Sequence, residues 1–233
     1  VTLLWLGILG FVDDYIKLKT KSSSGIQALT KFLGQFIFAA ALGIFLYCYP
    51  DCEPVIEVPF FKNVIFSLGY SYIIFIIFVV VGSSNSVNLT DGLDGLAIGC
   101  TVMVALAFCA ISYVTSHAGL ADYLQIFHIP KAGELAVFCA AMVGASLGFL
   151  WFNSYPAQLF MGDTGALSIG GSLGVVVFLQ VGYYKKTRKR LFLMAPLHHH
   201  FQKMGIPESK ITIRFWIVGI ILAIIGVISL KLR

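Results

Sequence analysis

The chain has 233 residues, of which 58% are hydrophobic and only 12% charged, with a formal net charge of +5 and a mean hydropathy of +0.90. A soluble domain carries about 25% charged residues, so this composition excludes a water-soluble globule and leaves an integral membrane protein. Long apolar runs with few alternating stretches favour helices over a lipid-facing sheet, because a helix satisfies its own backbone groups in hydrocarbon.

Apolar spans fall at residues 1–12, 30–49, 64–82, 95–116, 135–152, 165–184 and 211–230. The first is too short to cross a bilayer and starts at Val1 without an initiator Met or basic flank, so it reads as the end of a truncated helix rather than a signal peptide, and the chain as a fragment. Asp13 and Asp14 are expected to end that first helix. Two adjacent carboxylates at an interface repel unless a cation or proton lies between them; the alternative is ordinary flanking charge. Lys17, Lys19, Lys21 and Lys31 mark the following loop as cytoplasmic, while the loop at 50–63, with Asp51, Glu53, Glu57 and only Lys62, is placed outside. Alternation then puts segments 83–94 and 153–164 inside and the 117–134 loop outside.

Asn85 to Gly95 reads Asn-Ser-Val-Asn-Leu-Thr-Asp-Gly-Leu-Asp-Gly. Its Asp-Gly steps predict turns with exposed N–H groups suited to a polar ligand, against the alternative of a plain connecting turn. Asn153 to Gly165 ends at a helix start, where a Gly-rich backbone can approach phosphate and the dipole favours anions. Asp163 is badly placed there against bare phosphate; Mg²⁺ bridging the carboxylate and a diphosphate resolves the conflict, and a simple helix cap is the alternative. Past the basic run Lys185 to Arg190, Met194-Ala-Pro-Leu-His-His-His-Phe201 carries three successive imidazoles. Neighbouring side chains point apart, which makes a poor metal site; hydrogen bonding to phosphate or a peptide carboxylate fits better, with an interfacial His run as the alternative. Cys100, Cys109 and Cys139 read as small apolar residues, Cys48 and Cys52 share one edge, and Tyr47, Tyr49, Trp151 and Trp216 read as interfacial anchors.

One crossing by 165–184 would carry Lys185, Lys186, Arg188, Lys189, Arg190, Lys203, Lys210 and Arg214 outside, against the bias that sets topology. A further span is therefore expected to be missing near 174–180, through a deletion or a sequence defect; a re-entrant segment and an inverted tail are the alternatives. With it restored, every polar cluster falls on the cytoplasmic side.

Gly10-Phe-Val-Asp-Asp14, Asn85 to Gly95, Asn153 to Gly165 and Met194 to His200, in this order, resemble the polyprenyl-phosphate N-acetylhexosamine-1-phosphate transferase superfamily. The histidine motif together with Ile213-Arg-Phe-Trp-Ile217 is similar to its phospho-MurNAc-pentapeptide transferase branch. The resemblance covers essentially the whole chain, departing at Gln202 and Ile206, where that branch commonly has Glu and Trp. It implies an all-α polytopic bundle of ten helices, of which residues 1–233 form a single membrane transferase domain without the first helices and most of the ninth.

The same resemblance implies that Asp163 coordinates Mg²⁺, that Asp13 and Asp14 serve the reacting phosphate, and that His198 joins them as a catalytic residue. Lys17 and Lys31 become phosphate partners. Asp91, Gly92, Leu93, Asp94 and a stacking Phe160 form a uridine pocket; Asn85, Asn88 and Asn153 line the cleft, and His199 and His200 border it. The implied reaction moves phospho-MurNAc-pentapeptide from UDP-MurNAc-pentapeptide to undecaprenyl phosphate, giving lipid I and UMP, at the cytoplasmic face of the bacterial inner membrane. The bilayer and a second copy of the chain are expected partners, and nucleic acid is not. Rival readings are GlcNAc-1-phosphate transfer and an ion-coupled transporter. Gathering of the polar clusters at one face speaks against a transport site, which belongs near the midplane.

Overall fold

A computed structural model describes residues 1–21, 25–48, 55–57, 65–124, 128–130, 132–170 and 197–228. Among these residues the helices are α1 (Thr2–Thr20), α2 (Ala28–Cys48), α3 (Ser71–Thr90), α4 (Leu96–Ser116), α5 (Ala118–Leu124), α6 (Ala132–Asn153), α7 (Gly162–Ile169), α8 (Leu197–Lys203) and α9 (Glu208–Ile228). A short antiparallel ribbon, β1 (Val55–Glu57) with β2 (Ile65–Ser67), pairs Val55 with Ser67 and Glu57 with Ile65 between α2 and α3. The all-α expectation holds for the body of the protein. Five helices, α2, α3, α4, α6 and α9, are long and apolar enough to cross a membrane, and the protein is multi-pass. Their outer faces expose Ile37, Phe45, Phe78, Phe138, Leu147 and Leu222, side chains that hydrocarbon rather than water can solvate.

Helix α4 sits at the centre. Every residue from Leu96 to Val102 is buried, and the helix packs mainly on α6 and α9. Leu93, Leu96, Cys100 and Ile211 form one core cluster, with Phe201, Ile206, Phe215 and Trp216 packed around it. A second cluster joins Val87, Ala97 and Ala166 to Met161, tying α3 and α4 to α7. Trp216 is thus no interfacial anchor: its indole packs against the core and Nε1 donates to the Gly95 carbonyl at 3.2 Å. Trp151 does face outward, at 80% exposure.

Helix boundaries differ from expectation in two ways: α1 and α3 end later because polar side chains continue a helix they were expected to end, and α3 starts later than residue 64 because Ile65–Ser67 form β2. Helix α1 runs on past Asp13 and Asp14 to a left-handed Lys21, since no Gly or Pro interrupts residues 11–20. Helix α3 begins at Ser71 and continues to Thr90, so the Asn85–Thr90 stretch is helical and only the Asp91–Gly95 stretch turns. Three of its side chains return hydrogen bonds to the preceding turn. Asn85 Nδ2 donates to the Val81 carbonyl, Ser86 Oγ to Gly82 and Thr90 Oγ1 to Ser86, at 2.8, 2.6 and 2.7 Å.

Hydrogen bonds and contacts gather the carboxyl ends of α1, α3 and α6 with the amino ends of α2, α4, α7 and α9 at one end of the bundle. Helices α7 and α9 both start there. The stretch between α7 and α8 that holds residues 174–180 and the Lys185–Arg190 run lies outside the described residues, as do Cys52 and Tyr49.

Candidate active site

On α1, Gly10, Asp13, Asp14 and Lys17 are spaced by three or four residues and so share one face. Helix α7 lies against that face at Gly10, which is where a side chain would prevent approach. A Cβ on Gly10 would stand 2.7 Å from the Asp163 carbonyl carbon and 2.7 Å from Thr164 Cα, and closer still to the Asp163 oxygen. The first turn of α7 is thereby brought beside both α1 carboxylates.

Asp14 caps α7 from outside. Its Oδ2 accepts from Thr164 N at 2.9 Å and from Thr164 Oγ1 at 2.6 Å, while Oδ1 accepts from Asp163 N at 3.3 Å. Amide groups that a helix start leaves without intrahelical partners are satisfied this way, with the negative charge at the favourable end of the dipole. Asp13 is 2% exposed. Its Oδ1 accepts from Ile26 N at 2.6 Å, which fixes the link from α1 to α2.

Two lysines meet these acids. Lys17 Nζ lies 2.6 Å from Asp13 Oδ2, 2.5 Å from Asp163 Oδ2 and 3.9 Å from Asp14 Oδ1. Lys31, from the first turn of α2, reaches Asp163 Oδ2 at 3.0 Å and Asp13 Oδ2 at 3.7 Å. Burial works against the charge on Lys17, but hydrogen bonds to Asp13 and Asp163 and the charge of both acids outweigh it and raise its affinity for the proton. Burial likewise pushes Asp163 upward; hydrogen bonding with Asp13, Lys17 and Lys31 prevails and holds it below the usual carboxylate range.

Asp13, Asp14 and Asp163 each offer an oxygen within 4.8 Å of the others, an arrangement that could hold a metal ion. Three hard oxygen donors with no sulfur or imidazole among them suit Mg²⁺, Ca²⁺ or Mn²⁺ rather than a softer ion. Three carboxylates against two ammonium groups leave the cluster net negative, so both its charge and its oxygen donors fit a hard cation.

The remaining expected residues lie on α3, in the turn that follows it, at the end of α6, in the loop before α7 and on α8. Asn153, 4% exposed at the end of α6, clamps two loops: Oδ1 accepts from Gly95 N at 3.1 Å and Nδ2 donates to the Leu159 carbonyl at 2.7 Å. Asp94 Oδ2 accepts from Ala157 N at 2.9 Å, and its carbonyl accepts from Thr212 Oγ1 at 3.3 Å. Leu93 is buried in the core cluster and Gly92 is exposed. Phe160 projects outward at 77% exposure from the same loop as Leu159. Asn88 is half-buried on α3, and Asn85 Nδ2 also donates to Gln35 Oε1 at 2.6 Å. Burial and then the charges of Asp163 and Asp14 push the Asp91 carboxyl up to about 6.

His198 does not open to the surface. It is 2% exposed, its ring packs on His199 with centroids 4.2 Å apart, and its Nε2 is the buried side-chain polar atom without a hydrogen-bond partner among the described residues. That nitrogen faces Gly92, where a Cβ would also meet its Cε1 at 3.2 Å. Burial, then His199, brings its pKa down to about 4, so the ring is neutral at neutral pH. His199 Nδ1 contacts Gln202 Oε1 at 2.5 Å, and Gln202 Nε2 donates to Glu208 Oε1 at 2.8 Å. The His200 side chain lies outside the described residues.

Sequence reasoning missed Gly10 as a packing contact, Thr164 and Gln35. Gln35 is fully buried on α2, with Nε2 donating to Ser84 Oγ at 3.4 Å. A lone amide within the apolar span 30–49 is the signal that could have found it.

Residues 1–181 match the family described as glycosyl transferase family 4. The phospho-N-acetylmuramoyl-pentapeptide-transferase of Endomicrobium trichonymphae is 46% identical over 256 residues, covering 99% of this chain and 71% of the relative. That of Oleidesulfovibrio alaskensis is 49% identical over 251 residues, 97% of this chain and 70% of the relative. That of Thermodesulfovibrio yellowstonii is 46% identical over 260 residues, 100% of this chain and 72% of the relative. These alignments are longer than the 233-residue chain, so each includes positions that only the relative occupies. Similarity at this level along nearly the whole chain places it in glycosyl transferase family 4, among the phospho-N-acetylmuramoyl-pentapeptide transferases.

Proposed function

We propose that the protein transfers phospho-MurNAc-pentapeptide from UDP-MurNAc-pentapeptide to undecaprenyl phosphate, releasing UMP and forming lipid I at the cytoplasmic face of the bacterial inner membrane. The observation that carries this reading is the convergence of Asp13, Asp14, Asp163, Lys17 and Lys31 at one end of a membrane-crossing bundle. One substrate is water-soluble and the other is anchored in lipid. Their phosphates can meet only near the membrane surface, and holding them together there removes much of the entropic barrier.

Asp163, with Asp13 and Asp14, would hold Mg²⁺. When bound, the ion neutralises phosphate oxygens and the charge that develops on departing UMP. Lys17 and Lys31 bind phosphate. The turn from Asp91 to Asp94 and the exposed ring of Phe160 take the uridine, with Asn153 holding the turn against the loop that carries Phe160. Asn85 and Asn88 line the cleft, and His199 and His200 border it. Neutral, buried His198 supports Gly92 from below rather than presenting a charge to substrate.

An oxygen of the lipid phosphate attacks the phosphorus that bears the sugar; the bond from that phosphorus to the bridging oxygen breaks, and the oxygen leaves with UMP. The nucleophile is already an anion, which favours direct transfer.

The test is to incubate membranes containing the protein with undecaprenyl phosphate and either UDP-MurNAc-pentapeptide or UDP-GlcNAc. Lipid I and UMP are expected from the first donor alone. A lipid product from UDP-GlcNAc, or uptake of substrate without UMP release, would overturn the reading.

A further inference from the structure

We infer that Lys17 is a place-holding cation: its ammonium occupies the position between Asp13 and Asp163 until a divalent ion displaces it, and the freed side chain then turns to a substrate phosphate. This inference rests on the proposed metal site and concerns how that site is filled.

The geometry carries the argument. Lys17 Nζ lies 2.6 Å from Asp13 Oδ2 and 2.5 Å from Asp163 Oδ2. A Mg²⁺ seated on these same two oxygens would need them at about 2.0–2.1 Å, where its charge opposes an ammonium, so the ion and Lys17 compete for one position. The two lysines are not equivalent in this respect. The Lys17 side chain is 34% exposed, whereas that of Lys31 is 14% exposed and makes longer contacts with Asp13 and Asp163, at 3.7 and 3.0 Å. Lys17 has open space to swing into on a flexible four-carbon stem, and Lys31 is the more enclosed.

The ammonium also offsets the repulsion among carboxylates that lie this close together. Lys17, on the same helix face as Asp13 and one turn beyond it, supplies that cation from within the chain. Its release on metal entry places a positive charge beside the site at the moment when phosphate must be bound.

The test uses the purified protein in detergent micelles and needs no variant for its main readout. Lysines are labelled briefly with acetic anhydride, with and without saturating Mg²⁺, and each site is quantified by mass spectrometry. Exposed Lys19 and Lys21 serve as internal references. Labelling of Lys17 relative to them is expected to rise about tenfold or more on adding Mg²⁺, as its ion pairs are lost. Mn²⁺ binding to the same preparation, followed by electron paramagnetic resonance in wild type and Asp163→Asn, reports separately on the metal site. If Mn²⁺ binds and Asp163→Asn abolishes binding, but Lys17 labelling does not change, the place-holder inference is overturned and the metal site stands. Lys17→Met is expected to bind Mn²⁺ more tightly than wild type, since no ammonium has to be displaced; if wild type binds no Mn²⁺ while Lys17→Met does, the ammonium is a permanent occupant and the inference is overturned. If neither binds, the metal site and the inference fall together.

Discussion

Replacing Gly10 with alanine tests whether the contact between α1 and α7 sets the geometry of the acids. The added methyl would lie 2.7 Å from the Asp163 carbonyl carbon and from Thr164 Cα, and nearer to the Asp163 oxygen. Carbon atoms pack comfortably at about 3.5 Å, so the α7 backbone must retreat by roughly 0.8 Å, because backbone cannot rotate away as a flexible side chain can. That retreat carries Asp163 away from Asp13 and Asp14 and stretches the bonds from Asp14 to Thr164. Misplacing reacting groups by about 1 Å costs on the order of 100-fold in rate, and overpacking adds about 1–3 kcal/mol of destabilisation. The assay is the initial rate of UMP release, with Mn²⁺ affinity measured alongside. Gly7→Ala is the control, since a Cβ there meets Ser168 Cβ at 3.8 Å, an ordinary contact. If Gly10→Ala keeps the wild-type rate and metal affinity, the reasoning that ties the triad to this helix contact is refuted.

Thr164→Val removes the hydroxyl that donates to Asp14 and should cost about 1.5–3 kcal/mol, the usual range for a hydrogen bond to a charged group, read as a fall in thermal midpoint. Gly92→Ala drives a methyl into the His198 ring; weaker UDP-substrate binding is expected, while an unchanged KM would show that His198 does not support the turn. Because burial and the charges of Asp163 and Asp14 raise Asp91 to about 6, its ionisation is opposed in the folded protein, and its contribution to stability falls as pH rises through that value. Asp91→Asn should therefore gain stability over wild type above pH 6 but not at pH 4; a difference independent of pH would contradict this. His198 runs the other way. Its lowered pKa means that stability is lost as pH falls from its ordinary value of 6.5 towards about 4, and a His198→Gln variant should flatten that acid limb in a denaturation series.

Much of this organisation can be read from residue order alone, for identifiable reasons. Long apolar runs locate α2, α4, α6 and α9 to within a few residues because hydrocarbon imposes one length and one chemistry. Asp13, Asp14 and Asp163 stand out because charge so close to apolar runs demands compensation, and the structure supplies it with Lys17 and Lys31. Where the reading fails, a local rule yields to tertiary context. Asn85 and Ser86 look like loop residues, yet they bond back to their own helix and to Gln35, so α3 continues through them. Trp216 has the composition of an interfacial anchor, but it lies beside Gly95, whose carbonyl accepts its indole N–H. The imidazole of His198 looks available to substrate in the sequence; only the packing of α8 against the turn at Gly92 reveals that it is covered. The place of Gly10 is invisible for a similar reason, since its function is an absence of side chain opposite a helix more than a hundred residues away.

The most direct test of the central claim is UMP release from UDP-MurNAc-pentapeptide, followed in wild type and Asp163→Asn while undecaprenyl phosphate and Mg²⁺ are each supplied or withheld. Wild type should release UMP only when both are present, and Asp163→Asn should lose nearly all of that release. Release that survives chelation of divalent ions and the loss of the Asp163 carboxylate would contradict the account, because acids from two helices would then have gathered for some other purpose.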